Sequence, residues 1–217
     1  MSVKSFLVSI FTCSILLSAN NLQARTFELE GFAVGSQIDT VETSFETFYL
    51  DGETLIGEIS NDVAYSGRNS LKVADYSTED KPYVRVPFAG GQHPSGLVKA
   101  RVYIPEGNLK STYINLGVGK NNSDRYFELK ISGSGDVQYE SGSFDPSIGS
   151  VSINEWHLVE IYWANDMVTV AVDRKIIADD IPVLNTAFSP SGVTIYTGDK
   201  SGAGNVAYFD DIMSNLF

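Results

Sequence analysis

Sulfur, positive charge and helical periodicity are what this sequence has least of. Its 217 residues include one cysteine, Cys13, inside an apolar N-terminal run, so residues 25–217 hold no thiol from which to build a disulfide. Stability there must come from burial, hydrogen bonding or a bound ion. Lys and Arg number 15 against 27 Asp and Glu, a formal net charge of −12. Nucleic-acid binders need clustered Lys and Arg to displace counterions from phosphates, so nucleic acid is excluded as a partner. Beyond residue 19 no apolar run is long enough to span a bilayer. Hardly any segment places apolar residues at i, i+3, i+4 and i+7 over three turns, which argues against amphipathic helices. Two absences bear on catalysis. No Glu-x-Asp-x-x-Glu spacing occurs, of the kind that sets paired carboxylates about a glycosidic bond, and His93 and His157 lack a partner pattern for nucleophilic chemistry.

What is present begins with an export signal. Lys4, the apolar residues 5–19 and the small residues Ala19 and Ala24 have the order of a secretory leader. The expected division is a signal peptide over 1–24, with cleavage at Ala19 as the alternative, and one domain over 25–217. Phe11 and Thr12 stand before Cys13 where a lipoprotein signal carries small residues, so no membrane anchor is expected. Removing Lys4 with the leader takes the net charge from −12 to −13. That acidity suits solubility outside a cell and offers carboxylates able to hold cations.

The rest of the chain reads as all β. Its apolar stretches are short, have period two, and are bounded by Gly, Asn, Asp, Ser or Pro. In the clearest, 97–104, Val98, Ala100, Val102 and Ile104 form one face and Lys99, Arg101 and Tyr103 the other. Further strands are expected over 55–60, 70–75, 83–88, 112–118, 126–131, 137–140, 156–163, 168–173, 192–197 and 205–213. Residues 132–136 and 164–166 supply hairpin turns whose side chains tolerate positive φ. The count suits two packed antiparallel sheets, an antiparallel two-sheet β-sandwich.

Several segments carry a resemblance. Leu29-Glu30-Gly31-Phe32-Ala33-Val34-Gly35 looks like an opening strand, and Tyr65-Ser66-Gly67-Arg68-Asn69-Ser70-Leu71-Lys72-Val73 like an early glycine turn and strand. Asn154-Glu155-Trp156-His157-Leu158-Val159-Glu160-Ile161 and Val168–Val172 with Asp173-Arg174-Lys175 form a Trp-His…Asp-Gly-Lys type of hairpin, with Arg174 where glycine is usual. Together with Tyr208-Phe209-Asp210-Asp211 these are similar to concanavalin A-like and LamG-like jelly rolls and to calcium-containing carbohydrate-binding modules. The resemblance implies a structural calcium between the first and last strands, with Glu30 and Asp210 as carboxylate ligands and carbonyls near Ser66, Gly67 and Asn69 completing the shell. It also implies a structural rather than chemical role for His157.

Strand alternation then assigns an outward face. Opposite Ile114, Leu116 and Val118 stand Tyr113 and Asn115; opposite Phe127, Leu129 and Ile131 stand Tyr126, Glu128 and Lys130; opposite Val137 and Tyr139 stand Gln138 and Glu140. If these strands share a sheet with Lys99, Arg101 and Tyr103, they present interleaved aromatics, amides and charges. Aromatic rings cover the C–H side of a sugar while amide, guanidinium and carboxylate groups bond its hydroxyls. The expected function is a secreted carbohydrate-binding jelly roll that recognises a polysaccharide on its concave sheet. The enzyme alternative is a small polysaccharide lyase on a uronate glycan. It would use Arg101, Tyr103, Tyr113, Asn115 and His93 to neutralise the carboxylate and move the proton. Tyr126-Phe127-Glu128-Leu129-Lys130 is a loose echo of an alginate lyase segment. A third reading is an adhesion module that binds protein. Trp156 and Trp163 have opposite parity, so at most one can meet a ligand on a given side.

Overall fold

A computed structural model describes residues 24–48, 56–79, 81–119, 124–199 and 204–217. The leader with Lys4 and Cys13, and the first residue of the strand expected over 55–60, lie outside the described residues. The elements in chain order are β1 (Arg25–Phe27), α1 (Ile38–Val41), β2 (Glu46–Phe48), β3 (Gly57–Ser60), β4 (Ser70–Asp75), β5 (Tyr83–Pro87), β6 (Ser95–Tyr103), β7 (Thr112–Gly117), β8 (Arg125–Ile131), β9 (Asp136–Tyr139), β10 (Ser147–Ser150), β11 (Trp156–Ala164), β12 (Met167–Val172), β13 (Lys175–Pro182), β14 (Gly192–Thr197) and β15 (Asn205–Ser214). Among the described residues they form two antiparallel sheets. One has eight strands in the order β13-β12-β11-β6-β15-β4-β3, with β1 beside the end of β15; the other has seven, β10-β9-β8-β7-β14-β5-β2.

Period-two alternation builds the core between them. Val98, Ala100 and Val102 of β6, Val159, Ile161 and Trp163 of β11, and Ala207 and Phe209 of β15 point inward from the larger sheet. Ile114 and Leu116 of β7, Phe127, Leu129 and Ile131 of β8, Val193 and Ile195 of β14, and Val137 meet them from the other. Phe127 and Phe209 are wholly buried, and truncating either to Ala would cost about 3–5 kcal/mol in transfer and cavity terms. Every strand expected from alternation is found with its ends shifted by at most two residues. The elements that alternation did not reveal are α1 and the short or edge strands β1, β2, β10 and β13. β13 carries Asp179, Asp180 and Pro182 and buries only Ile181, the charged composition with which edge strands resist further pairing.

Three expectations are corrected. The opening strand is β1, pairing Arg25–Phe27 with 212–214 of β15, whereas residues 29–35 form turns; their apolar character reflects Leu29 packing in the core rather than a strand. The strands that carry the outward polar residues do not share a sheet. β6, with Lys99, Arg101 and Tyr103, lies in the eight-stranded sheet, while β7, β8 and β9 lie in the seven-stranded one, because the crossover from β6 to β7 changes layers. Strict alternation over the strand expected at 205–213 would also turn Asp211 to the face opposite Asp210. A bulge in β15, where register slips between Asp210 and Met213 and Asp211 takes φ 46°, instead turns both toward the 65–66 segment.

Two hairpins use left-handed residues in pairs. Asn165 and Asp166 join β11 to β12 with φ 54° and 59°, and Asp173 and Arg174 join β12 to β13 with φ 51° and 67°. Both therefore have the doubly positive φ of a type I′ turn. Arg174 holds a conformation that costs a non-glycine side chain about 1–2 kcal/mol.

Candidate functional site

The outer face of the seven-stranded sheet carries two rows of side chains set by cross-strand register. Gln138, Lys130, Tyr113 and Tyr196 stand in one row, since β9 pairs with β8, β8 with β7 and β7 with β14 at these positions. Glu128, Asn115, Thr194, Arg85 and Glu46 stand in the next, on β8, β7, β14, β5 and β2. The second row is unusual for an outer face: Glu128 and Asn115 are each 1% exposed, and Thr194 and Arg85 5%. These residues form a covered floor, not a solvated surface.

Buried polar groups must be paired, and here they pair with one another. Glu128 Oε2 accepts from Tyr196 Oη at 2.6 Å and from Asn115 Nδ2 at 3.1 Å, and its Oε1 accepts from Arg125 Nη1 at 2.9 Å. The same Arg125 nitrogen donates to Glu140 Oε2. Arg125 reaches Glu128, three residues on, because register slips between Leu116 and Gly117 of the pairing with β8, bringing both onto one face. Burial first, and then hydrogen bonding with Glu128, raise the Glu140 carboxyl above its ordinary value. The Tyr113 and Tyr196 rings stack 4.4 Å apart and 7° from parallel, with Lys81 and Lys130 near them. Lys130 also bridges to Asp145 at 2.7 Å. Burial, followed by the Glu128 charge, raises the Tyr113 phenol.

Of the sugar-face residues expected from sequence, Tyr113, Asn115, Glu128, Lys130, Gln138 and Glu140 share this face. Tyr126 does not. The register slip turns it inward, its hydroxyl lies 3.4 Å from Asp166 of the β11–β12 turn, and burial, then that carboxylate, push it up to about 12. Lys99, Arg101 and Tyr103 lie on the outer face of the other sheet, where Lys99 bridges Glu160 at 2.6 Å. His93 Nε2 bonds the Ala89 carbonyl at 2.7 Å in a loop beside Phe88. The five residues of the lyase alternative, Arg101, Tyr103, Tyr113, Asn115 and His93, are thus spread over two opposite faces and a loop, with Arg101 and Tyr103 neighbours on one face and Tyr113 and Asn115 on the other. Sequence reading missed Arg125 and Tyr196; the bulge hides the first, but the parity of Tyr196 in β14 was available to reveal the second. His157 is held at both ring nitrogens, Nδ1 2.8 Å from Asp173 and Nε2 3.1 Å from the Ser152 carbonyl. Trp163 is buried against Phe88, while Trp156 faces out beside Tyr103.

The residues expected to hold calcium do converge. Glu30 Oε1 accepts the N–H groups of Arg68 and Asn69, both at 2.9 Å, and these two amides hold its carboxyl below the usual range. Asp210 Oδ2 accepts from Tyr65 N at 2.9 Å and Ser66 N at 3.0 Å, and Oδ1 accepts from Asp211 N at 2.8 Å. Gly67 has φ +61°, and a Cβ there would fall 2.2 Å from Glu30 Cδ. Asn69 Nδ2 donates to the Leu29 and Phe32 carbonyls at 3.1 Å each. The donors facing the two carboxylates are N–H groups, whereas calcium requires six to eight oxygens. Among the described residues no three His, Cys, Asp or Glu side chains cluster as metal ligands.

No protein-family model matches the sequence, and no curated protein matches it. Solved structures do. The chain is similar to a sialidase (TM-score 0.61, 12% identity, over 87% of this chain and 19% of that one). It is also similar to a cellulose induced protein, Cip1 (TM-score 0.60, 15% identity, 82% and 94%), and to a carbohydrate esterase from Shiga toxin-encoding bacteriophage phi24B (TM-score 0.56, 12% identity, 88% and 98%). The match therefore spans about a fifth of the sialidase chain and nearly all of the other two. At these identities the shared property is the β-sandwich fold.

Proposed function

We propose that this protein is an exported carbohydrate-binding β-sandwich that seats a saccharide on the outer face of its seven-stranded sheet. The observation that carries the reading is the stacked Tyr113–Tyr196 pair beside the buried Asn115–Glu128–Arg125–Glu140 network. The half-buried Tyr113 ring, backed by the buried Tyr196, offers a surface for sugar C–H groups, and Arg125 and Glu140, the part-exposed end of the network, are held in place by its hydrogen bonds so that binding costs little further order. That the similar structures include a sialidase and a carbohydrate esterase agrees with a sugar ligand.

The network favours binding over cleavage. One guanidinium nitrogen gathers both Glu128 and Glu140, leaving no room for a glycosidic bond between the two carboxylates. A lyase on this face would need a group to neutralise a uronate, and the candidates are engaged: Arg125 serves two carboxylates, Lys130 bridges Asp145 and Asn115 donates to Glu128. Its ligand is accordingly a neutral stretch of glycan. Calcium at the Glu30–Asp210 staple is part of the proposal as an addition to a contact that amides already close.

Incubation with neutral and uronate polysaccharides, read by retention in affinity electrophoresis and by ultraviolet absorbance of unsaturated ends, tests the reading. Retention without product is expected. Tyr113→Ala should weaken it by about 1–3 kcal/mol, the worth of a ring stacked on a planar face, with little change in stability. Unsaturated product would make the protein a lyase, and unaltered retention by Tyr113→Ala would show that the sugar binds elsewhere.

A further inference from the structure

The opposite face, on the eight-stranded sheet, holds a part-buried cation in a different state from Lys72, Lys99 and Arg125. Lys99 is bridged to Glu160, Lys72 to Asp62 and Arg125 to two carboxylates. The Arg101 side chain of β6 makes no hydrogen bond or ion pair among the described residues, and the nearby carboxylate that its charge acts on, Asp173, is itself bonded by His157 and the Leu158 N–H. Its cross-strand neighbours are Leu158 on β11 and Asp210 on β15, and Asp210 is saturated by three amides. The guanidinium instead lies flat on Tyr65, with Cζ 3.8 Å from the ring centroid. Tyr65 packs against Trp156, Trp156 against Tyr103, and Tyr103 against Tyr208, at centroid separations of 6.2, 5.5 and 6.0 Å. Along the same face an open depression of about 610 Å³ is lined by Lys99, Leu158, Glu160, Tyr162, Arg174 and Ile176, not by the aromatic cluster itself.

A half-buried guanidinium has lost part of its hydration, and its five N–H groups remain unspent. The forked donor geometry matches two coplanar oxygens of one anion, and stacking on Tyr65 holds the fork in place without neutralising it. Tyr65 is in turn anchored because its own N–H donates to Asp210. The surrounding Trp156 and Tyr103 offer what a bare anion does not need and a sugar ring does, a flat apolar surface. Arg174 at the far rim stays an arginine at φ 67°, where glycine would be less strained; strain of this kind collects where a side chain is needed for binding.

We infer that Arg101, with Tyr65, Tyr103 and Trp156, forms a second saccharide site that takes a sugar bearing an anionic substituent, a carboxylate or a sulfate ester. The site stands independently of the neutral-glycan site on the seven-stranded sheet, and the two faces let one molecule contact two glycan chains. Calorimetric titration with a uronic-acid trisaccharide, a sulfated disaccharide and a neutral glucan trisaccharide separates the possibilities. The wild type should bind at least one anionic probe, more weakly as salt rises, and Arg101→Lys should lose about tenfold in affinity because a point charge replaces the fork. Arg101→Gln should lose more, with both variants folded by near-ultraviolet circular dichroism. Tyr113→Ala should leave anionic binding intact, which distinguishes failure here from failure of the first site. A preference for the uronate or for the sulfated probe identifies the anion, and either supports the site. Unchanged anionic binding by Arg101→Lys and Arg101→Gln, or no anionic binding by the wild type at millimolar concentration, overturns it.

Discussion

Replacing Asp210 by Ala should destabilise the protein by about 2–4 kcal/mol. The side chain is 1% exposed and accepts three backbone N–H groups, from Tyr65, Ser66 and Asp211. Hydrogen bonds to a charged acceptor are worth about 1.5–3 kcal/mol each when one partner is removed. Two terms reduce the sum: residues 65 and 66 are exposed, so their freed amides can find water, and burial already raises the Asp210 carboxyl, so removing it also removes a desolvation cost. For a domain of this size each kcal/mol shifts Tm by about 2–4 °C. A loss near 3 kcal/mol would therefore appear as about 6–12 °C in a thermal scan followed by circular dichroism. Asp210→Asn keeps one acceptor for Tyr65 and Ser66 but turns an NH₂ toward the Asp211 N–H, and should lose about half as much. Asp211→Asn should cost less than about 0.5 kcal/mol, because the bond its side chain accepts, from Ser66 Oγ at 3.0 Å, is exposed. If amides alone close the staple, the Asp210→Ala deficit is the same in calcium and in chelator. A deficit present only in calcium would refute that account and transfer the contact to the ion, and a variant melting within 1 °C of the wild type would refute the staple altogether.

Arg174→Gly should stabilise the chain by about 0.5–1 kcal/mol, the relief of left-handed strain less the added entropy of an unfolded glycine; a lower urea midpoint would contradict the reading of that turn. Gly67→Ala should destabilise by about 1–2 kcal/mol from φ +61°, and by more if Glu30 swings away and releases the Arg68 and Asn69 amides; a neutral result in the same titration would deny the Glu30 contact. The Glu140 carboxyl is raised in the folded state, so its contribution is fully present below the unfolded value near 4.5 and is lost as pH rises through the folded one. Glu140→Gln should thus compare least favourably with the wild type in acid and recover toward neutral pH; a difference flat from pH 3 to 8 would count against the raised carboxyl. Asp173 behaves oppositely. Burial works to raise it, but the bonds from His157 and the Leu158 N–H outweigh that and hold it low, so its stabilisation is present above the unfolded value near 3.8 and disappears as pH falls. Asp173→Asn should flatten the acid limb of the stability curve.

Local alternation determined a good deal of this protein. The inward sets Val98–Ala100–Val102, Ile114–Leu116 and Phe127–Leu129–Ile131 are core residues because period two and one buried face leave no other register. The same logic placed Tyr113, Asn115, Glu128 and Lys130 outward, and Asn165 and Asp166, which tolerate positive φ, marked the turn between β11 and β12. Glu30, the 66–69 turn and Asp210, far apart in sequence, were brought together by resemblance and do meet. What alternation cannot carry is which strands share a layer: each crossover between sheets is a long-range packing choice, so Arg101 and Tyr113 look alike along the chain and end on opposite faces. Nor does it see bulges, which break the period that defines it; Arg125 gained its carboxylate partners, Tyr126 its burial and Asp211 its direction at such breaks. The state of each charge was likewise decided in three dimensions. Arg125 and Arg101 are identical residues, one neutralised by two carboxylates and the other resting on a tyrosine ring with its hydrogen bonds unspent, because the strands beside them differ.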